Sequence, residues 1–446
     1  MTATHSCSDA ASRAGSASVK PSLAVIGSGI AGLSAAWLLK QKYDVTLIES
    51  HDKVGMGVFS VDYQSAGVDN RIDIPLRVFC DGYYPNLLAL YRHIGVEIEA
   101  GDHAGVFFDH RGKEVLHYGN VALGRYRFSL PKLKSLFSWR AWRLMLAFRR
   151  FNRLAQQALL TDEQLRQKTL QQFLQQQQID GEFTEQLLLP VLAVTCTCDY
   201  HSILNYPADV ILAYLTCGVW QFGIIHARNG VDDIVPRLTQ GIQVQTGQTV
   251  QSVRSCGEQL QLTLADGQQQ RFDQVVIACQ AQQAAAMLDG FDQQQAWLRQ
   301  VPFETSTMMV HTDSGFLPQQ GKGCSAVSYC LPPQGRQRPQ VSVDLTKAIP
   351  RYRQQGTVFQ TWHPTFEPGA GQLLAKVAFT RPLVTLESRA AMQQLRQQQQ
   401  QQCDNRLWFC GSYLADKVPL LDAAVDSSVA VAEALGVEIP WQAAGH

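Results

Sequence analysis

The sequence predicts an α/β protein in two parts. One is a Rossmann-like domain around a parallel sheet, discontinuous along the chain. The other is an α+β domain with a mixed or antiparallel sheet and a helical insertion. Three observations predict this. Leu23–Ile26 and Val45–Ile48 are short apolar runs, the form of strands buried on both faces, with a glycine turn and a helical pattern between them. From about Pro131 to Tyr214, Leu, Gln and Arg recur at helical spacing. Beyond Ile242 the hydrophobic period becomes two, as strands with one buried face require. A chain of 446 residues suits two or three such units at roughly 100–200 residues each.

Residues 1–20 are Ser- and Ala-rich without an apolar core, and read as a disordered tail, not a signal peptide. The first strand ends in Gly27-Ser-Gly29-Ile-Ala-Gly32, a helix is expected from Leu33 to about Lys42, and the second strand closes on Glu49. Ile72–Phe79 reads as extended and Tyr84–Ile94 as a helix. After the helical insertion, placed at about 131–216, alternating runs at Ile242–Thr246, Val250–Val253 and Leu260–Leu264 predict strands. Phe272–Ala278 is another buried strand, and 301–380 a mainly antiparallel sheet. A helix carrying Gln397–Gln402, a strand at Leu407–Cys410 and an apolar helix from about Asp422 to Leu435 follow. The Rossmann-like domain is therefore expected from 21–80, 225–300 and 403–440, and the second domain from 81–224 and 301–402.

Composition excludes several classes. Lys and Arg total 38, as do Asp and Glu, so no net charge draws the chain to nucleic acid. Charged residues are only 17%, which favours a neutral or greasy partner. Apolar residues at 46% exclude a largely disordered chain, and no run of apolar residues is long enough to span a membrane. The eleven cysteines show no zinc-ligand spacing, so no metal is expected, and without a secretory signal they read as reduced thiols in the cytoplasm. Neither a GxSxG elbow nor a P-loop is present.

The glycines carry the strongest signal. In GxGxxG between strand and helix, Gly27 allows the tight turn, Gly29 lets a pyrophosphate approach bare backbone, and Gly32 lets helix and strand pack closely. Ser28, Ile30 and Ala31 complete the turn and bring the helix N-terminus, with its free N–H groups, to the phosphates. Glu49, 20 residues after Gly29, is placed to accept bonds from ribose hydroxyls and would repel a 2′-phosphate, which argues against NADP.

Further motifs separate FAD from NAD. The opening, followed by Glu49-Ser50-His-Asp-Lys-Val-Gly-Met-Gly57, resembles the glutathione-reductase-type FAD fingerprint. Gly411-Ser-Tyr and Asp422-Ala-Ala424-Val425-Asp-Ser-Ser428 resemble the closing glycine motif and helix of the flavin amine oxidase superfamily, with alanine and serine where that family has glycine. The resemblance runs from about 22 to 437. It includes the bacterial predicted NAD/FAD-binding amine-oxidase-like proteins, through Ile26–Trp37, Tyr84-Pro-Asn-Leu87, Val310-His-Thr-Asp313 and Phe409-Cys-Gly411. Many of these carry His-Glu-Asp-Gly where this chain reads Leu420-Leu-Asp-Ala. The resemblance implies FAD as cofactor, backbone contact to adenine at Val250, and Cys279 where the chain passes the pyrophosphate.

It also implies that the flavin carries the chemistry, taking a hydride onto N5 from a C–N or C–C bond of a largely apolar small molecule, with O2 or another acceptor completing the cycle. No catalytic side chain is assigned. Arg77, Phe79, Tyr83 and Tyr84 are pocket candidates because family members pass near the flavin ring there, and His311 and Trp362 are candidates on later strands. A non-redox flavoprotein isomerase and a flavin-binding partner in a biosynthetic pathway remain alternatives. Residues 136–155 put Ala141, Leu144, Met145, Phe148 and Phe151 on one helical face, with arginines and tryptophans on the other. That mixture suits peripheral contact with a membrane, at its inner face for a cytoplasmic chain, and entry of a lipophilic substrate.

Overall fold

The computed structural model describes residues 20–55, 59–65, 68–123, 126–217, 223–318, 323–333, 338–352, 356–401 and 404–442. Gly57 and, save Lys20, the expected tail lie outside the described residues.

The apolar runs β1 (Ser22–Ile26), β2 (Asp44–Ile48), β14 (Gln274–Ile277) and β20 (Leu407–Phe409) join β10 (Gln243–Gln245) in one sheet. The order is β10-β2-β1-β14-β20 and every pairing is parallel. Leu23, Ala24, Val25, Leu47 and Val275–Ile277 are fully buried, so helices must cover both faces, and the continuous apolar text of these strands follows from that. Helix α1 (Ile30–Leu39) crosses between β1 and β2. It starts at Ile30, three residues before the expected Leu33, because Gly29 rather than Gly32 caps it and Gly32 lies within its first turn. The C-terminal helix, Leu421–Ala434, packs on α1 through small buried residues such as Ala423, Ala424 and Ala432.

The second sheet has eight strands, in the order β19-β15-β18-β17-β16-β6-β7-β8. These are β6 (Gly105–Phe108), β7 (Glu114–Leu123), β8 (Tyr126–Pro131), β15 (Phe303–His311), β16 (Val327–Cys330), β17 (Gln340–Asp344), β18 (Phe359–Trp362) and β19 (Leu373–Pro382). Only the β6–β16 pairing is parallel, so the sheet is mixed. A three-stranded meander, β11 (Val250–Cys256), β12 (Gln259–Leu264) and β13 (Gln269–Phe272), sits beside the first sheet.

The expected extended run from Ile72 to Phe79 is broken. The hairpin β3 (Ser60–Ser65) and β4 (Val68–Asp73) ends at Asp73, because Pro75 has no N–H to continue a ladder. Phe79 then exchanges backbone hydrogen bonds with Ile225, at 2.8 and 2.9 Å. Helix α2 (Pro85–His93) follows, with proline at its first position. The insertion comprises α3 (Leu133–Leu136), α4 (Trp139–Thr161) and shorter helices ending with Ala208–Thr216. Ser138 caps α4, and Ala141, Leu144, Phe151, Ala155 and Ala158 form its buried stripe. No described helix is long and apolar enough to cross a membrane.

Candidate active site

The glycine turn meets three separate demands. Gly27 has φ +100°, in the left-handed region, and a Cβ there would lie 3.2 Å from the backbone of Ala278 and Cys279. A Cβ on Gly32 would lie 1.8 Å from the Gly27 carbonyl oxygen, so helix and turn touch through bare backbone. A Cβ on Gly29 would meet nothing within 4 Å, and Gly29 is exposed. The space over Gly29 is therefore open, and the N-terminus of α1 behind it has no side-chain cap. That combination is what an approaching diphosphate needs.

Glu49 is buried below this turn and held on both oxygens. One accepts from the Ser28 N–H at 2.9 Å and the Ser28 hydroxyl at 2.5 Å; the other accepts from the His51 N–H at 3.0 Å and the Ser50 hydroxyl at 3.1 Å. Burial opposes its charge, but these hydrogen bonds hold the carboxyl below its ordinary value. For a ribose hydroxyl to bind Glu49, it would have to displace one of the two serine hydroxyls. Ser28 also accepts from the Gly55 N–H at 2.8 Å, which ties the second glycine-containing turn to the first. Cys279 lies beside the Gly27 turn, its thiol pushed up to about 12 by burial. The Val250 side chain packs with Ile26 and Ile48, leaving its main chain for any ligand contact.

At the C-terminal helix the departures from glycine are structural. Ser428 donates to the Ala31 carbonyl at 2.8 Å and meets the Ser34 hydroxyl at 2.9 Å, so its side chain serves the contact with α1. Gly411 donates its N–H to Ser427 Oγ at 2.8 Å. Asp422 is fully buried and accepts from the Leu87 N–H at 2.8 Å and Lys417 Nζ at 2.6 Å. Burial and the neighbouring Asp426 raise its carboxyl. Ala424 and Val425 are buried in the first turn of the same helix. The glycine turn, Glu49 and this uncapped helix start fit a flavin dinucleotide: open backbone for the phosphates, an acid for the ribose, and a helix N-terminus for developing negative charge.

Next to Lys417 the chain builds an aromatic wall. The rings of Tyr83 and Tyr84 meet edge to face at 5.8 Å, Tyr83 and Tyr214 at 5.0 Å, and Phe79 touches both Tyr84 and Tyr91. The Tyr83 hydroxyl accepts from the Val418 N–H at 2.9 Å, and Lys417 Nζ lies 5.6 Å over its ring. Burial raises the phenols of Tyr83, Tyr84 and Tyr214 above their ordinary value, so all stay neutral. Thiols fill the gaps: Cys80 and Cys217 are 3.5 Å apart, and Cys196 and Cys198 are both buried and reduced.

Two arginines face this wall. Arg77 lies 3.8 Å from Asp73 and lines a cavity of about 20 Å³ with Phe79 and His226. Arg381, at the end of β19, stands over Trp362 at 5.9 Å and Phe379 at 6.0 Å. No hydrogen bond or ion pair joins it to another described residue. Glu304 is directly opposite in the β15–β19 ladder, but its carboxylate binds Arg338, the Asp199 N–H at 2.9 Å and the Ser202 hydroxyl at 2.8 Å. Burial, then the nearby Arg77 guanidinium, lower the pKa of Arg381 against the opposing pull of Tyr84, Cys196 and Tyr206.

Of the residues singled out in the sequence, Phe79 shares a cavity with Arg77, Tyr84 and Trp362 lie near Arg381, and Tyr83 lies under Lys417. His311 does not join them. In the β15–β18 ladder Trp362 faces Met308, and His311 faces Phe359. The period of two puts His311 and Trp362 on opposite faces of the sheet. There His311 is fully buried, 2.7 Å from Thr361 Oγ1 and packed on Phe316, with burial lowering its pKa to about 4. Sequence reasoning missed Arg381, Lys417 and Tyr214. Arg381 left one signal: it stands in register with Phe379 and Val377 on the apolar face of an alternating strand.

A sequence model of the family described as flavin containing amine oxidoreductase matches residues 30–337. No curated protein matches the chain. Among solved structures, a CLA-producing fatty acid isomerase from P. acnes has a TM-score of 0.67 at 14% identity, covering 92% of this chain and 97% of that one. Putrescine oxidase with putrescine bound has a TM-score of 0.64 at 13% identity, covering 94% and 99%. Cyclohexylamine oxidase from Brevibacterium oxydans IH-35A has 0.60 at 14%, covering 94% and 100%. At these identities the likeness is one of fold.

Proposed function

The chain belongs to the flavin-containing amine oxidoreductase family and is an FAD-dependent oxidoreductase, and from that premise we propose that it dehydrogenates a C–C bond of a largely apolar substrate carrying one anionic end. One observation carries this reading: Arg381 faces an aromatic, thiol-lined wall without a carboxylate partner among the described residues. When bound, the flavin supplies a two-electron acceptor for hydride leaving a substrate carbon, with oxygen or another oxidant completing the cycle. The protein's own groups bind, orient and dry the substrate.

The charge balance supports a C–C over a C–N bond. Arg77 and Arg381 bring two positive charges, and Asp73 answers one of them. A third cation, such as a substrate ammonium, is repelled by roughly 3 kcal/mol at about 6 Å with an effective dielectric of about 20. A carboxylate or phosphate gains a comparable attraction. The neutral tyrosines and thiols offer apolar surface for the rest of the molecule and exclude water.

The test is anaerobic loss of the oxidised-flavin absorption bands on adding candidates. Long-chain acids and their phosphate-headed analogues should bleach the purified protein, and primary amines of matching length should not. Bleaching by amines alone would reverse the assignment.

A further inference from the structure

We propose that the surface formed by the end of β8, α3 and the outer face of α4 docks on an anionic lipid bilayer. The first argument is exposure. Phe137 is 84% exposed, Trp139 79%, Leu133 71%, Leu146 57%, Leu130 50% and Trp142 42%. Large apolar side chains do stand singly on protein surfaces, but here six lie on consecutive elements of one surface. At 100° per residue, Trp139, Trp142, Leu146 and Leu160 share the side of α4 opposite its buried stripe. Trp139 is mostly exposed, and its apolar ring and polar N–H suit the boundary between lipid and water.

The second argument is charge. The chain as a whole is neutral, yet residues 132–161 hold seven basic residues and no acid. Arg140 and Arg143 pair with Glu182. Arg149 and Arg153 are exposed on the same face as the tryptophans and make no ion pair among the described residues. Arginine between exposed tryptophan and leucine is complementary to an anionic, greasy surface. A second copy of the chain fits poorly, because a two-fold dimer through this patch sets cations against cations.

The third argument is position. The inner face of α4 packs on the helix Ala208–Thr216, which carries Tyr214, and Tyr214 meets Tyr83 edge to face. The docking surface is thus one helix layer from the aromatic wall. The docking itself rests on no reading of the reaction.

Co-sedimentation of the full-length holoenzyme with phosphatidylcholine vesicles, with and without phosphatidylglycerol, tests it. The protein should pellet with the phosphatidylglycerol vesicles, less so in high salt, with a blue shift of tryptophan emission. The double variant Phe137→Glu with Trp139→Glu should lower partitioning at least about tenfold, and Arg149→Glu with Arg153→Glu should abolish the preference for phosphatidylglycerol. Unchanged far-ultraviolet dichroism and melting keep those results free of folding effects. Absence of binding to either vesicle, or binding indifferent to both variants, overturns the proposal. So does a dimer in the wild type, without vesicle binding, that the aromatic variants convert to monomer.

Discussion

Around Glu49 four donors from residues 28–51 fill both carboxylate oxygens, whereas Arg381 has no carboxylate or hydrogen-bond partner among the described residues. In the nucleotide crevice the acid is answered by its own chain, while the glycine turn stays open. Arg381 keeps its charge beside aromatic rings with no carboxylate partner among the described residues. A satisfied network holds a fixed shape and suits a permanent cofactor. A half-buried guanidinium without a carboxylate leaves its charge to be completed by water or by a ligand. On the proposed function, the two regions separate what the protein would hold permanently from what it would turn over.

The largest break in that comparison should come at Gly32. Gly32→Val puts a side chain where even a Cβ is 1.8 Å from the Gly27 oxygen, so the turn must move. We expect a loss of about 3 kcal/mol or more and loss of bound flavin, read by thermal melting and by absorption of the purified protein. Gly29→Ala sharpens the contrast: its Cβ meets open space, so the apoprotein should melt as the wild type does while flavin is retained more weakly.

Arg381→Met should divide stability from activity. Removing a guanidinium without a carboxylate should raise the melting temperature or leave it unchanged, while kcat/KM for an anionic substrate falls by about 100-fold, near 3 kcal/mol. A fall in both would mean that Arg381 is an ordinary structural residue. Flavin content should not change in this variant.

Glu49→Gln should be milder. Gln offers one acceptor oxygen in place of two, so flavin retention weakens by about tenfold. The pH dependence has a definite sign. The folded carboxyl lies below its unfolded value, so its contribution to stability is present above the unfolded pKa and is lost as pH falls through the folded one. Melting curves taken through the acidic range should show wild type losing more stability than Glu49→Gln; parallel curves would remove Glu49 from the account. The smallest effect is expected from Ser428→Gly. It restores the family's glycine but deletes the bonds to Ala31 and Ser34, for a loss of about 1 kcal/mol in urea unfolding with flavin spectra unchanged.

Both domains' main features were legible in the text of the chain, for different reasons. Strands buried on both faces read as apolar runs, and β1, β2, β14 and β20 are such runs. The α4 stripe from Ala141 to Ala158 follows from helical period alone. Less was legible where pairing is long-range. The strands β6, β7 and β8 join a sheet otherwise built from residues 303–382, through one parallel contact with β16 that no local signal announces. His311 and Trp362 looked equally suited to a pocket, since each sits on a strand; the register alone separates their faces.

What the sequence determined by itself is the backbone of the nucleotide crevice. Turn, close packing and open approach depend on three missing Cβ atoms at fixed offsets, and offsets along a chain are visible without coordinates. Only the tertiary structure decided that Arg381 stands near Arg77 and Tyr84, that Glu304 opposite it is engaged by Arg338, and that Lys417 answers Asp422 over the Tyr83 ring. Alternation along a strand says which face a residue takes. It does not say what other segment arrives there, and in a low-dielectric interior the arriving charge settles what the site can bind.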